Sequence, residues 1–175
     1  MGELINGIPR VDTTRGPAWL RRAVGGLLAT KAGGAIHRTL AAPIDGALMN
    51  LTKGRVSSGF GTVRLVVLRS TGAKTGAPRD VPLGYLTDGD DVILIASNYG
   101  QPRNPAWYRN LVANPKVEVL AGKRSGTYKA TEITDPSERD RIWNLALDQY
   151  AGYADYEARA SDRTIPLVRL ERATG

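Results

Sequence analysis

From Val63 onward the sequence is a train of short strand-type runs cut by turn signals, and few folds accept that order. Val63–Arg69 is rich in β-branched and apolar residues, as a buried strand requires. Val81, Leu83 and Tyr85 alternate with Pro82, Gly84 and Leu86; Pro82 cannot donate to a ladder, so this strand belongs at an edge or a bulge. Asp88-Gly89 is a tight hairpin turn leading into Asp91–Ser97. Lys116–Leu120 and Ser125–Ile133 flank a turn at Gly122-Lys123, and Thr164–Arg169 reads as a last strand. Two helical patterns interrupt the train. One starts at Asn104-Pro105 and stops at Asn114-Pro115. The other opens at Asp135-Pro136-Ser137-Glu138, with Asp135 as cap, Pro136 in the first helical position and Glu138 completing a capping box. Ile142, Leu145, Ala146 and Tyr150 then share one helix face. Six strands so arranged predict a mainly β, α+β protein built on a small antiparallel barrel, because closure removes the edges an open sheet would expose.

The region before the barrel is different in kind. Residues 1–16 read as a flexible arm, with Gly2, Gly7, Pro9 and Gly16 among polar residues. Residues 17–60 read as short helices interrupted at Gly25-Gly26, Gly33-Gly34 and Pro43, and 61–175 as the barrel domain. At 175 residues one domain with a full core is expected. There is no cysteine and one histidine, His37, so thiolate metal sites, histidine-rich metal sites and a cysteine nucleophile are excluded. His37 lies beside Arg38 with no partner pattern, so a solvated or capping role is expected of it. Any chemistry must come from a bound cofactor or from Tyr, Ser, Lys, Arg and carboxylates.

The formal net charge of +7 suits an anionic partner. Residues 1–60 carry eight Lys or Arg against Glu3, Asp12 and Asp45, which leaves open a peripheral contact with an anionic membrane. No run is long enough to span a bilayer and no signal peptide is visible, so a cytoplasmic location is expected. Nucleic acid is not expected, since the basic residues are not interleaved with aromatics.

Two loops and a tyrosine triplet are the candidate functional features. Thr71-Gly72-Ala73-Lys74-Thr75-Gly76 joins two strands, and its glycines let backbone N–H groups converge on an anion. Lys74 adds a point charge and Arg79 a fork for phosphate or carboxylate; a hairpin with solvated basic residues is the plainer alternative. Ala96-Ser97-Asn98 ends a buried strand where a hydroxyl would face a ligand at a barrel mouth. Trp107 and Asn110 share a helix face; Trp107 would be core or a ligand wall, and Asn110 would bond an adjacent loop or a ligand. Tyr150, Tyr153 and Tyr156 recur at intervals of three and, if helical, form one stripe of flat walls and hydroxyls.

Taken in order, TGAKTGAPR, PLGYL, ILIASNYG, NPAWYRNLVANPKVEV and YAGYADYEARASDRTIPLVRLER resemble the deazaflavin-dependent nitroreductase and quinone reductase family of actinobacteria. The resemblance implies a split β-barrel that uses coenzyme F420. It implies that Lys74 and Arg79 hold the cofactor's phosphate and tail carboxylates, with backbone contacts from Thr75 and Gly76. Pro82, Ala96, Ser97 and Asn98 would lie along the deazaflavin ring, with Trp107 and Asn110 closing its far side. Tyr85, Ser97, Tyr150, Tyr153 and Tyr156 would face the substrate. The implied reaction is hydride transfer from reduced F420 to a quinone, enone or nitroaromatic, with a separate enzyme regenerating the cofactor. FMN or haem binding on the same barrel, or non-catalytic carriage of the deazaflavin, are the alternatives. Oligomeric state is left open.

Overall fold

The computed structural model describes residues 4–5, 8–9, 65–121, 124–160 and 163–173. The helical segment expected over 17–60, His37 and the turn at Gly122-Lys123 lie outside the described residues. Within the stretch read as an arm, β1 (Leu4–Ile5) and β2 (Ile8–Pro9) pair as an antiparallel hairpin, and Ile8 is buried in the barrel's core.

The expected barrel is present. Strands β3 (Leu65–Thr71), β4 (Pro78–Asp88), β5 (Asp91–Ile95), β6 (Lys116–Ala121), β7 (Arg124–Glu132) and β8 (Leu167–Arg172) close in the order β3-β4-β5-β8-β7-β6, every pair antiparallel. β4 is the long strand. Its first half, Pro78 to Gly84, pairs only with β3, while Tyr85 to Asp88 pair with β5. Pro82 falls in that singly paired half, where a missing N–H is best tolerated because only one neighbouring strand pairs there. The last strand starts three residues later than the sequence suggests. Pro166 cannot donate to a ladder, and its carbonyl instead accepts from Ala96 N at 2.9 Å.

Both faces of β5 are buried, which is why its sequence is a continuous apolar run. Val92 and Leu94 point into the barrel with Val66, Leu68, Val119, Tyr128 and Leu170. Ile93 and Ile95 point outward, against Ile142 and Ala146 of α2 (Pro136–Gln149) and Tyr156 of α3 (Gly152–Arg159). Asp135 caps α2 as its sequence predicts, accepting from Glu138 N at 2.8 Å. The Glu138 carboxylate is taken up by Arg169 at 2.8 Å, and Asp88 binds both Arg141 and Arg169, so ion pairs tie α2 to the β4–β5 hairpin.

α1 (Ala106–Ala113) joins the two halves of the barrel between β5 and β6 and adds Trp107 and Leu111 to the barrel core. Its cap differs from expectation. Pro105 occupies the N-cap, and the Asn104 side chain accepts from Arg163 Nη1 at 2.8 Å.

Candidate active site

The Lys74 loop is a closed turn braced from outside. Gly72 N donates to Ala77 O and Gly76 N to Gly72 O, both at 2.8 Å. Gly76 takes φ +67°, the left-handed region that a side chain disfavours. Thr75 Oγ1 accepts from Ala77 N at 3.3 Å, so the Thr75 hydroxyl shapes the loop. Asn110, one turn into α1, completes the bracing. Its Oδ1 accepts from Ala73 N at 3.0 Å and its Nδ2 donates to Ser70 Oγ at 3.3 Å. Asn114 Nδ2 adds a bond to Thr71 O at 3.4 Å. Asn110 therefore serves the loop, which the sequence left as one of two uses.

Lys74 and Arg79 are exposed on this turn and the strand after it, and neither has a partner among the described residues. Three other arginines are instead held by carboxylates. Arg69 is held by Asp80 and Glu118, Arg141 by Asp88, and Arg169 by three carboxylates. Two cations with no counter-charge among the described residues, one on a braced turn and one on the strand after it, suit an anionic ligand carrying phosphate or carboxylate.

A second constellation lies at the other end of α1, which is roughly 12 Å long at 1.5 Å per residue. After β5 the chain makes a short 3-10 turn, Asn98–Gly100. Asn98 and Tyr99 adopt φ +48° and +55°, left-handed conformations that cost non-glycine residues about 1–2 kcal/mol each. Arg163 holds the turn in place. Its guanidinium donates to Gln101 O at 2.8 Å, Asn104 Oδ1 at 2.8 Å, Ser97 O at 2.6 Å and Ala96 O at 3.4 Å. Asn98 Nδ2 donates to Arg103 O at 2.7 Å, so this side chain too is spent on the loop. Gly100 packs directly on the backbone of Tyr156.

The held turn sets Tyr99 edge-on to Tyr156, ring centroids 5.8 Å apart. Tyr150, Tyr153 and Tyr156 do form one group, but not as a helical stripe. α2 ends at Gln149, Tyr150 is extended at φ −149°, and α3 begins at Gly152. The Tyr150 ring lies where a Cβ on Gly152 would stand, so that glycine admits the fold-back. The Tyr150 ring then stands 5.3 Å from Tyr153 and 6.0 Å from Tyr156, and the Tyr150 and Tyr156 hydroxyls meet at 3.2 Å. Burial raises the pKa of all three phenols, most strongly for Tyr153 and Tyr156, so they stay protonated at neutral pH. The Arg159 guanidinium, 5.0 Å from the Tyr156 ring centre, pulls Tyr150 and Tyr156 the other way.

Other expected site residues are elsewhere. Tyr85 and Trp107 belong to the barrel core, as does Ala96, and Tyr85 is separate from the tyrosine group. Ser97 is half-buried beneath Arg163. The residues that sequence reasoning missed are Arg163, Tyr99 and Arg159. Arg163 follows an unremarkable Ser-Asp pair, and its acceptors lie some sixty residues back along the chain, so no local signal marks it.

A family model for F420H(2)-dependent quinone reductase matches residues 44–172. The chain belongs to that family. It is accordingly an oxidoreductase whose cofactor is coenzyme F420, with an electron-poor acceptor of the quinone type. An F420H(2)-dependent quinone reductase of Mycobacterium tuberculosis H37Rv is 42% identical over 130 residues, spanning 72% of this chain and 86% of that protein. A solved F420-H2 dependent reductase is 37% identical with TM-score 0.55, covering 61% of this chain and 93% of the other. A domain-swapped dimer is 34% identical with TM-score 0.57, covering 71% and 93%. Among the described residues no helix is long and apolar enough to cross a membrane, and no group of carboxylates could hold a metal.

Proposed function

We propose that the chain binds reduced F420 with Lys74 and Arg79 on the anionic tail and presents Tyr150, Tyr153 and Tyr156 to a quinone. The observation that carries this reading is the pair of cations without a side-chain partner among the described residues, Lys74 on the loop that Asn110 braces and Arg79 on the strand after it, at one end of α1, with the tyrosine group at the other end. The residues suit the cofactor: cations and backbone N–H groups for an anionic tail, and half-buried phenol rings for flat π systems. Pro82, Ser97 and Asn98 would then run along the ring between the two ends. When bound, reduced F420 supplies a hydride, carrying two electrons.

The chain's own groups have three tasks. Lys74, Arg79 and the loop N–H groups bind and orient. The aromatic group excludes water from the reacting face. Of the Tyr150 and Tyr156 hydroxyls one donates to the other, and the remaining O–H donates a hydrogen bond to the acceptor oxygen as charge develops there and supplies the proton that completes reduction. Enones and nitroaromatics share the needed electron-poor carbon or nitrogen centre and are further candidate acceptors. A separate F420-reducing enzyme would regenerate the cofactor. The basic composition of residues 1–60 supports a peripheral contact with anionic membrane, where lipid-soluble quinones partition; sedimentation with anionic vesicles tests it.

Fluorescence titration with oxidised F420, with FMN and haem in parallel, is the direct test. Binding of F420 that Lys74→Ala weakens by roughly tenfold is expected for loss of a charge-assisted contact. Unaltered affinity removes Lys74 from the site. Tighter binding of FMN or haem would replace the reading, and tight F420 binding without turnover of any quinone would leave a carrier.

A further inference from the structure

Among the described residues three buried side-chain atoms lack a hydrogen-bond partner: Tyr128 Oη, Arg159 Nη2 and Arg169 Nε. Two have accounts in packing or pairing. The Tyr128 side chain is wholly enclosed in the barrel, its ring laid over Gly126. Arg169 Nε lies 3.0 Å from Asp91 Oδ2, an ion pair with poor hydrogen-bond alignment. Arg159 has neither. Its Nε donates to Asp155 O at 3.0 Å, and its Nη2 is left enclosed with no acceptor. Leaving a charged donor buried and unmatched is unfavourable, and such groups persist where a ligand completes them.

The position of that donor is informative. The Arg159 guanidinium lies over Tyr156, whose hydroxyl meets that of Tyr150. Its Cβ presses on Gly100, behind the turn that carries Tyr99. A positive charge with an unmatched N–H thus stands over the ring of one member of the hydroxyl pair.

We propose that Arg159 is an acceptor-binding residue whose Nη2 donates to the quinone oxygen that becomes negative during reduction. The proposal rests on the reading of the tyrosine group as the acceptor wall. The quinone takes a hydride, two electrons and one hydrogen nucleus, and becomes a hydroquinone monoanion with its charge on oxygen. A proton from tyrosine or water then gives the hydroquinone. Over the full reaction two electrons and two protons leave F420H2 and arrive on the quinone. A hydrogen bond from guanidinium strengthens as the acceptor oxygen gains negative charge, because a contact between an ion and a dipole becomes one between two ions. Arg159 therefore favours the charged state over the ground state, which is the condition for accelerating the step.

The test uses the full chain without cofactor and two probes of matched shape. 2-Hydroxy-1,4-naphthoquinone is an anion at neutral pH and mimics the charged acceptor; 2-methoxy-1,4-naphthoquinone is neutral. Quenching of intrinsic fluorescence reports binding, since Trp143 lies 6.0 Å from Tyr153. Wild type is expected to prefer the anion. Arg159→Met keeps the packing stem over Tyr156, and is expected to cut that preference by about tenfold or more while changing neutral binding by less than about threefold. Arg159→Lys should recover part of the preference. Retention of the preference in Arg159→Met, or equal weakening of both probes, overturns the proposal. Failure of wild type to bind either probe overturns the acceptor-wall reading itself, and unchanged F420 affinity in Arg159→Met would show that the cofactor site is independent of this outcome.

Discussion

Gly100 is where the strained turn and the tyrosine helix are pressed together, and alanine there should be costly for two separable reasons. The residue sits at φ +73°, and a Cβ would stand 2.6 Å from Tyr156 O, 2.8 Å from Arg159 Cβ and 3.1 Å from Tyr156 Cα. Two of those atoms are backbone, so no side-chain rotation relieves the clash and α3 must move. The left-handed conformation costs about 1–2 kcal/mol for a residue with a Cβ. The forced displacement adds about 1–3 kcal/mol. Gly100→Ala is therefore expected to lose roughly 2–5 kcal/mol of unfolding free energy. Gly76→Ala is the control. Gly76 has a similar φ, +67°, but open space around the missing Cβ, so only the backbone cost of about 1–2 kcal/mol applies. Urea unfolding of both full-chain variants, followed by far-ultraviolet circular dichroism, measures the difference. The functional effects should divide in the same way. Gly100→Ala displaces Tyr156 and raises KM for the acceptor, whereas Gly76→Ala loosens the Lys74 turn and weakens F420. If Gly100→Ala costs no more than Gly76→Ala, the close approach to α3 is not real and the argument fails.

Arg163→Met should destabilise by on the order of 3 kcal/mol, because the half-buried oxygens of Ala96, Ser97 and Asn104 lose their donor, and Arg163→Lys should recover only part because one ammonium cannot fork. A loss below about 0.5 kcal/mol in urea unfolding, the range of ordinary surface changes, would refute that role. Asn110→Ala removes the brace on Ala73 and should weaken F420 binding about tenfold, one lost bond's worth, with the acceptor KM little changed; equal F420 titrations in both proteins would count against it. Tyr108 donates to Glu132 at 2.6 Å, and burial, then that bond, pushes its pKa up to about 12. A raised folded-state pKa means stability that is complete below the unfolded value of about 10 and lost as pH rises toward 12. Tyr108→Phe should flatten part of that alkaline decline; the buried tyrosine group contributes to it in both proteins. Identical slopes in urea unfolding between pH 8 and 11.5 would contradict the assignment.

The barrel was legible because its signals are local. Alternation, the Asp88-Gly89 turn and the Asp135-Pro136 helix start each act within a few residues, and each appears where the sequence puts it. Pro82 told its own position, in the half of β4 with one partner. Cap chemistry was less faithful. Asn104 has the right identity for a helix cap, yet a distant guanidinium claims its side chain. The tyrosines were found by spacing, and grouped for another reason: a glycine lets Tyr150 fold back across a helix break. Arg163 was invisible, since its acceptors are set by barrel closure and no pattern in the sequence encodes a contact across sixty residues. Trp107 was left by the sequence between core and ligand wall, and Tyr85 was placed toward the substrate by the resemblance alone. Their residue types suit a ligand wall, and burial in the barrel core is what the fold makes of them.

The pairing of the ring has a consequence for the order in which its two working parts come into being. The Lys74 turn is the tip of the β3–β4 hairpin, whose pairing joins neighbours close in sequence, Thr71 with Pro78 and Ser70 with Arg79, and only the brace from Asn110 comes from farther along the chain. The Tyr99 turn meets Arg163 and α3 only through pairing of β5 with β8, which joins Val92 to Leu170. Contacts that close long loops are the slow ones in folding. A nascent chain would thus acquire its anion-binding turn while still partly extended, and its acceptor wall only when the C-terminal strand docks. Pulse-labelled hydrogen exchange should find β3–β4 amides protected before those of β8.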